Sequence, residues 1–228
     1  MYKQEEILEL EQKIGYEFKQ KQLLQQALTH SSFSNEQKIN KLKNYERLEF
    51  LGDAVLELLS SQFFFERFPD MSEGQMTRLR SSMVCEPALA FCARDLSLNK
   101  YILLGKGEEA TGGRERDSII SDVMEAVLGA IYLDGGLTAA DRFVKTFILS
   151  DLENKQLFYD SKSILQERVQ KAGRSLCYEL LEESGPDHDK VFVVEAKIDG
   201  QAVSKGTGRN KKAAEQQAAY KVLKEKLL

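Results

Sequence analysis

The chain of 228 residues has few of the side chains that build zinc sites or disulfide frameworks. Its three cysteines are scattered, and this odd number fits reduced thiols in an intracellular protein. Its two histidines, His30 and His188, lie far apart, and His30 is interpreted mainly as a helix-end residue that bonds to backbone or a neighbour. A zinc site is therefore disfavoured, and any metal is expected to have oxygen ligands, as Mg²⁺ or Mn²⁺ does.

Long apolar runs are also missing. No stretch approaches the roughly 18 apolar residues of a membrane span, so no membrane partner is predicted. Residues 1–6 include acids and form no apolar signal region, so we expect a cytoplasmic location. The glycine-rich segment 105–113 lacks the Gly-Lys-Ser/Thr ending of a phosphate-binding loop and is interpreted as a turn.

The hydrophobic pattern changes along the chain. Helical periodicity dominates residues 1–150, apart from residues 31–43, which are predicted to form a loop. Residues 151–160 are polar and lack periodicity, and residues 161–228 follow the order α-β-β-β-α. We therefore predict an all-α domain, a linker and a small α+β domain. The net charge is −4, but the last third of the chain is slightly basic, which suggests two units with different roles.

Two predicted helices carry acids among apolar residues. On the first helix Glu46, Glu49 and Asp53 fall within an arc of about 60°. On the second helix Asp122 and Glu125 share one face at i, i+3. Such acids are surface charges beside a core stripe, a buried acid–base network, or ligands of a divalent metal. With two such pairs, metal binding is as well supported as the other interpretations together, and bound Mg²⁺ would remove the need for a histidine base in phosphodiester hydrolysis.

The predicted last helix begins with the basic residues Lys211 and Lys212. The backbone N–H groups and the dipole of a helix N-terminus favour anions, which makes phosphate a natural ligand there. The alternative is a solvated, lysine-rich helix start. Basic side chains oppose the helix dipole at this end, and this slightly favours the functional interpretation.

The segment 46–56, ERLEFLGDAVL, resembles the signature of the ribonuclease III family. The segments QALTHS at 26–31, SEG with TR at 72–78, and DSIISDVMEA at 117–126 occur in the order of that family, and residues 160–228 resemble its double-stranded-RNA-binding domain. The resemblance covers nearly the whole chain. It implies a dimeric helical nuclease that cleaves double-stranded RNA with Mg²⁺, giving 5′-phosphate and 3′-hydroxyl ends with short 3′ overhangs. It also implies processing of ribosomal RNA precursors and other structured transcripts.

The resemblance also implies site residues by motif position. The matching metal ligands are Glu49, Asp53, Asp122 and Glu125. Glu125 would be the most critical ligand, and Asp53 would also help to hold the attacking water. Glu46 and Glu73 match further acidic positions, which would support the ligands, contact the RNA near the cut or pack in a dimer. Phe50 and the Phe63–Phe65 run are candidates for the apolar dimer contact.

In the second domain the resemblance implies RNA contacts that read the shape of an A-form duplex. The implied residues are Gln166 and Glu167 on the first helix, His188 in the loop 185–188, and Lys211 and Lys212 with Lys205 or Arg209 on phosphates. Two other functions stay open at this point. One is a double-stranded-RNA-binding protein without catalysis, and the other is a metal nuclease that acts on DNA.

Overall fold

The computed structural model describes residues 4–37, 43–150, 161–185, 190–208 and 210–225. The chain divides into two compact units, Met1–Ser150 and Asp151–Leu228. The predicted linker, residues 151–160, lies outside the described residues.

The described part of the first unit is helical. Its α-helices are α1 (Gln4–Ile14), α2 (Lys21–Ala27), α3 (Ser31–Glu36), α4 (Glu46–Arg67), α5 (Glu73–Met83), α6 (Glu86–Asp95), α7 (Lys106–Ala110) and α8 (Asp117–Phe143). Two 3₁₀ turns, Leu98–Tyr101 and Gly113–Glu115, and a π-helical turn, Val144–Ile148, complete it. The all-α prediction for this unit is confirmed.

Helices α4 and α8 form the centre of this unit and pack along one another. They approach most closely at Gly52 and Gly129. A Cβ atom at Gly52 would lie 1.9 Å from the carbonyl oxygen of Glu125, and one at Gly129 would lie 2.2 Å from that of Leu48. Because a backbone carbonyl inside a helix cannot move aside, only glycine permits this approach.

Helix α8 owes its apolar sequence to burial. Within the described residues, Asp117–Ile148 is long and apolar enough to span a membrane by length and composition, but more than half of its most apolar 18-residue stretch is buried inside the domain. From Ile119 to Ile131 every residue is buried except Asp122 and Glu125. This is the pattern of the central helix of a globular domain, with one interruption where two acids reach the surface.

Helix α8 breaks at Gly136, whose φ of 75° is readily adopted by glycine. Just before the break, the buried carboxylate of Asp134 accepts hydrogen bonds from Tyr16 Oη at 2.8 Å and from the N–H groups of Lys19 and Gln20, both at 2.9 Å. Burial alone would raise the pKa of this carboxyl, but these hydrogen bonds outweigh burial and lower it. The carboxylate thus fixes the α1–α2 loop onto α8.

Two short helices lie in segments predicted to be irregular. Residues 31–43 include α3, and the glycine-rich segment 105–113 includes α7, so both loop predictions were wrong. Helices of five and six residues span less than two turns, which is too little for hydrophobic periodicity to be recognised. His30 is the N-cap of α3, and its Nδ1 accepts the N–H of Ser32 at 3.1 Å, which agrees with the structural role expected for it.

The second unit has the predicted α-β-β-β-α order. Its elements are α9 (Ser161–Lys171), β1 (Leu176–Ser184), β2 (Val191–Ile198), β3 (Gln201–Gly208) and α10 (Lys211–Lys224). The strands form an antiparallel sheet in the order β1-β2-β3. Asp199 and Gly200 make the predicted two-residue hairpin turn, with φ values of 52° and 79°. A Cβ at Gly206 would lie 2.1 Å from the carbonyl oxygen of Ala214, so glycine lets α10 pack closely on β3.

Candidate active site

The four candidate metal ligands come from the facing turns of α4 and α8. Glu49 and the exposed Asp53 flank Gly52 on α4, and the half-buried Asp122 and Glu125 lie on α8. The backbone of Gly52 lies directly against the carbonyl of Glu125. The glycine crossing therefore brings an acid pair from each helix to one edge of the core.

Burial and neighbouring charges raise the pKa values of several acids in this cluster. Burial raises the pKa of Glu125 to about 8, assisted by the charges of Asp53, Asp122 and Glu49. Burial likewise raises the pKa of Glu49 to about 7, assisted by Asp122, Glu46 and Asp53. The pKa of Asp122 is also raised by burial, although a hydrogen bond from Tyr45 opposes this. The charged forms of Glu49 and Glu125 are thus disfavoured first by burial and then by the neighbouring acids.

No basic side chain neutralises this cluster in the part of the chain that the structure describes. None of the four carboxylates takes part in a salt bridge there. Nor do any three His, Cys, Asp or Glu side chains of the described residues converge into a ready metal cage. A set of hard oxygen donors without a cation fits Mg²⁺ or Mn²⁺, and Mg²⁺ retains waters that can bridge wider gaps to its ligands.

The two supporting acids differ in position. Glu46 is exposed in the first turn of α4, and its charge contributes to the raised pKa of Glu49, so it lies beside the cluster. Glu73 is exposed in the first turn of α5 and accepts a hydrogen bond from Thr77 Oγ1 at 2.9 Å. It lines a groove between α4 and α5, and its charge contributes to none of the raised pKa values of the cluster.

A tyrosine that the sequence analysis did not single out touches the cluster. Tyr45 precedes the first residue of α4, is 4% exposed, and its Oη donates to Asp122 Oδ2 at 3.3 Å. The residue before it, Asn44, accepts the N–H of Glu46 with its side-chain oxygen at 3.2 Å. The sequence feature that could have indicated this contact is an aromatic residue just before an acidic helix. Tyrosines in such places more often serve only packing.

The candidate RNA contacts of the second unit are brought together in part. Lys211 and Lys212 are exposed in the first turn of α10, where Asn210 caps the helix by accepting the N–H of Ala213 at 2.8 Å. Gln166 and Glu167 lie in the second turn of α9. The first turn of α9 is joined to α10 because the N–H of Lys162 donates to Gln216 Oε1 at 3.2 Å. The N-terminal halves of both helices therefore share one end of the domain.

Lys205 lies elsewhere. Its neighbour Gly206 faces α10, so the Lys205 side chain projects from the opposite face of the sheet. There its Nζ lies 3.4 Å from Glu195 Oε1, in a row of charges that also includes Lys197 and Glu179. The structure does not bring Lys205 together with Lys211 and Lys212.

His188 and Arg209, the remaining candidate RNA contacts, lie outside the described residues.

Large apolar side chains are exposed on α4. Phe50 is 80% exposed, Phe65 is 70% exposed and Leu58 is 54% exposed. Their spacing places all three within an arc of about 80° on one face of the helix. Phe64, by contrast, is buried in the core. Of the predicted contact candidates, Phe50 and Phe65 are thus available to a partner and Phe64 is not.

The sequence also matches known proteins. Residues 20–152 match the Ribonuclease-III-like family, and residues 161–226 match the double-stranded RNA binding motif. The chain is 50% identical over 218 residues to Ribonuclease 3 of Geobacillus kaustophilus, covering 94% of this chain and 89% of that protein. It is 48% identical over 219 residues to Ribonuclease 3 of Caldanaerobacter subterraneus, covering 94% and 95%.

A solved structure gives the same result for the first unit. The nuclease domain of ribonuclease III from Campylobacter jejuni, in a study of structural flexibility in a region involved in dimer formation, aligns with a TM-score of 0.58 and 44% identity. The alignment covers 62% of this chain and 95% of that domain.

Proposed function

The chain belongs to the ribonuclease III family, and on this premise we propose that its clustered carboxylates hold the divalent metal with which it cleaves double-stranded RNA. Its activity is endonucleolytic hydrolysis of double-stranded RNA. We propose further that the products carry 5′-phosphate and 3′-hydroxyl ends with short 3′ overhangs. Ribosomal RNA precursors and other structured transcripts are the proposed substrates.

The proposed metal is Mg²⁺, with Mn²⁺ as a substitute, and the proposed ligands are Glu49, Asp53, Asp122 and Glu125. The observation that carries this assignment is the meeting of four carboxylates without a salt bridge, among the described residues, at the glycine crossing of α4 and α8. The family itself implies a divalent metal. The bound metal supplies an activated water and stabilises the leaving oxygen of the scissile phosphate.

The protein side chains then have distinct tasks. Glu125, whose pKa burial and the neighbouring acids raise to about 8, would be the principal ligand, since a divalent cation beside it would favour the charged carboxylate. Asp53 is exposed, which suits a group that holds the attacking water as well as the metal. Glu46, beside the cluster, is the better candidate for a supporting role, and Glu73 suits the RNA path or a subunit contact.

In the second unit we propose that Lys211 and Lys212 bind phosphates and that Gln166 and Glu167 contact a minor groove. The exposure of both lysines and the joined N-terminal halves of α9 and α10 support this. His188 and Arg209 remain proposed contacts. Lys205, paired with Glu195 on the other face of the sheet, is a weaker candidate than Arg209.

We propose that the nuclease unit forms a homodimer through the exposed apolar face of α4. The strands of a duplex are related by local twofold axes, so a twofold dimer places a second site on the opposite strand in matching orientation. The exposure of Phe50, Leu58 and Phe65 supports this. Sedimentation velocity should show that Phe50→Ser is monomeric while Leu8→Ala, a change at another exposed apolar side chain, stays dimeric.

A cytoplasmic location and the domain bounds 1–150 and 161–228, with linker 151–160, complete the proposal. The family matches and the two compact units support these bounds.

Incubation of the full chain with a long RNA duplex and Mg²⁺ tests the proposed function. We expect short duplex fragments with 5′-phosphates and 3′ overhangs, and none when Mg²⁺ is chelated. Duplex DNA of the same sequence should neither be cut nor compete, because the RNA-binding motif implies contacts to 2′-hydroxyls. An intact RNA duplex after incubation with folded protein and Mg²⁺ would refute the function.

A further inference from the structure

Tyr45 connects the start of α4 to the acid pair of α8. Its hydroxyl reaches Asp122 Oδ2 at 3.3 Å across 77 positions of sequence. Within the described residues, no other hydrogen bond to the Asp122 carboxylate is found, and this oxygen therefore has a single protein donor.

The tyrosine is itself held firmly at both ends. Its N–H donates to the carbonyl of Thr29 at 2.9 Å, and its own carbonyl accepts the N–H groups of Leu48 at 2.8 Å and Glu49 at 2.9 Å. Its ring packs against the ring of His30, with centroids 5.5 Å apart. Because the ring is almost fully buried, the hydroxyl can move little if the Asp122 side chain changes position.

One residue therefore sets the position of acids on both helices. The carbonyl of Tyr45 bonds to the N–H of Glu49, and its hydroxyl bonds to the carboxylate of Asp122. Residues that do not touch the metal commonly orient its carboxylate ligands through hydrogen bonds. Losing one such hydrogen bond typically weakens metal binding or activity about 10- to 100-fold.

We propose that Tyr45 is a positioning residue of the metal site. It holds Oδ2 of Asp122, leaves Oδ1 available to the cation, and fixes Asp122 relative to the first turn of α4. The inference rests on the proposed function, because it takes Asp122 as a metal ligand. Tyr45 does not touch the substrate in this role; it acts through Asp122.

A matched pair elsewhere in the same domain shows what a purely structural role looks like. Tyr16 Oη donates to the buried Asp134 at 2.8 Å, near the other end of α8. That carboxylate also has two backbone donors, so its donors satisfy it without a cation. Tyr16→Phe and Tyr45→Phe thus remove the same chemical group from two tyrosine–aspartate pairs.

The test measures Mn²⁺ binding to the full chain, by the electron paramagnetic resonance signal of free Mn²⁺, and thermal unfolding of the metal-free protein. We expect Tyr45→Phe to raise the Mn²⁺ dissociation constant about 10-fold or more. We expect Tyr16→Phe to bind Mn²⁺ as the wild type does. In cleavage assays Tyr45→Phe should need correspondingly more Mg²⁺, and its rate should approach that of the wild type at saturating Mg²⁺.

A double-variant cycle decides whether Tyr45 acts through Asp122. If it does, adding Tyr45→Phe to Asp122→Asn should weaken Mn²⁺ binding no further than Asp122→Asn alone. The proposal would be overturned if Tyr45→Phe weakened Mn²⁺ binding as much in the Asp122→Asn variant as in the wild type. Unchanged Mn²⁺ binding by Tyr45→Phe alone would also overturn it. Intact Mn²⁺ binding by Glu125→Gln would instead refute the proposed metal site itself, so the two failures are distinguishable.

Discussion

Helix α8 carries a buried acid, Asp134, and two half-buried acids, Asp122 and Glu125, and their surroundings differ. Asp134 receives one hydroxyl and two backbone donors, and its pKa is lowered. Asp122 and Glu125 lie twelve and nine residues before it on the same helix, yet burial raises both of their pKa values, to about 8 for Glu125. Burial is common to both places, so the difference lies in the donors.

This difference separates Asp134, which serves folding, from the acids proposed to bind the metal. A carboxylate with enough donors stabilises the fold and has no need of a ligand. Carboxylates that face one another without cationic partners lower stability until something positive binds. The comparison thus supports different roles for acids that sequence periodicity alone does not distinguish.

The largest effect is expected for Glu125→Gln, which keeps the shape of the side chain and removes its charge. Loss of several kcal/mol of metal-dependent stabilisation should slow RNA cleavage roughly a thousandfold. Single-turnover cleavage measures this, and a gel-shift assay should show that the variant still binds the duplex. Asp134→Asn, assayed under conditions in which it is folded, should cleave RNA at nearly the wild-type rate. Similar cleavage rates for Glu125→Gln and Asp134→Asn would contradict the different roles of these two acids.

The next effect is expected for Gly52→Ala, which disturbs the crossing that assembles the acids. The new Cβ would lie 1.9 Å from the Glu125 carbonyl oxygen, a backbone atom that cannot yield. We expect a loss of about 3 kcal/mol or more of the free energy of unfolding, measured in urea, since α4 and α8 must separate. Gly74→Ala is the control: its Cβ meets nothing within 4 Å, and it should be neutral or slightly stabilising.

A somewhat smaller loss is expected for Asp134→Ala. It leaves the Tyr16 hydroxyl and two N–H groups of the α1–α2 loop without their acceptor, which should cost about 2–3 kcal/mol of unfolding free energy. Asp141→Ala, on the same helix, removes only an exposed pair with Lys145 and should cost less than about 0.5 kcal/mol. Equal losses at the two positions would contradict the structural role of Asp134.

The last effect is a pH dependence of opposite sign in the two places. In the folded, metal-free protein Glu49 and Glu125 stay protonated to a higher pH than in the unfolded chain, where their pKa is about 4.3. Stability should therefore fall as pH rises from about 5 to 8. The slope should not exceed about 1.4 kcal/mol per pH unit for each group. Asp134 adds stability above its unfolded pKa of about 3.9, and this is lost as pH falls through its lowered folded pKa.

Urea unfolding of metal-free protein between pH 3 and 8 measures both trends. Glu125→Gln should flatten the decline at higher pH, and Asp134→Asn should weaken the loss at low pH. Added Mg²⁺ at about a hundred times its dissociation constant should raise the free energy of unfolding of the wild type by about 2.7 kcal/mol. A wild-type stability that rises steadily up to pH 8 without metal would contradict the repulsion inferred at the α4–α8 crossing.

Much of the fold and the shared helix faces of the candidate acids could be predicted from local pattern. Long amphipathic helices and the alternation of the sheet repeat over many residues, so α4, α8 and the α-β-β-β-α order were recognisable. The short helices α3 and α7 were missed because fewer than two turns carry no period. The motif around Glu49 and Asp53 and the pair Asp122 and Glu125 depend only on spacing along a helix, which the sequence determines directly.

Only the tertiary structure decided how these pieces meet. Gly52 could be seen in the sequence, but its contact with the Glu125 carbonyl depends on the crossing of two helices seventy residues apart. The hydrogen bond from the Tyr45 hydroxyl to Asp122 depends on the tertiary structure in the same way. So does the position of Lys205, whose side chain lies on the sheet face opposite α10, where it pairs with Glu195. The physical reason is that hydrogen bonds, burial and charge act over a few ångströms in space, whatever the separation along the chain.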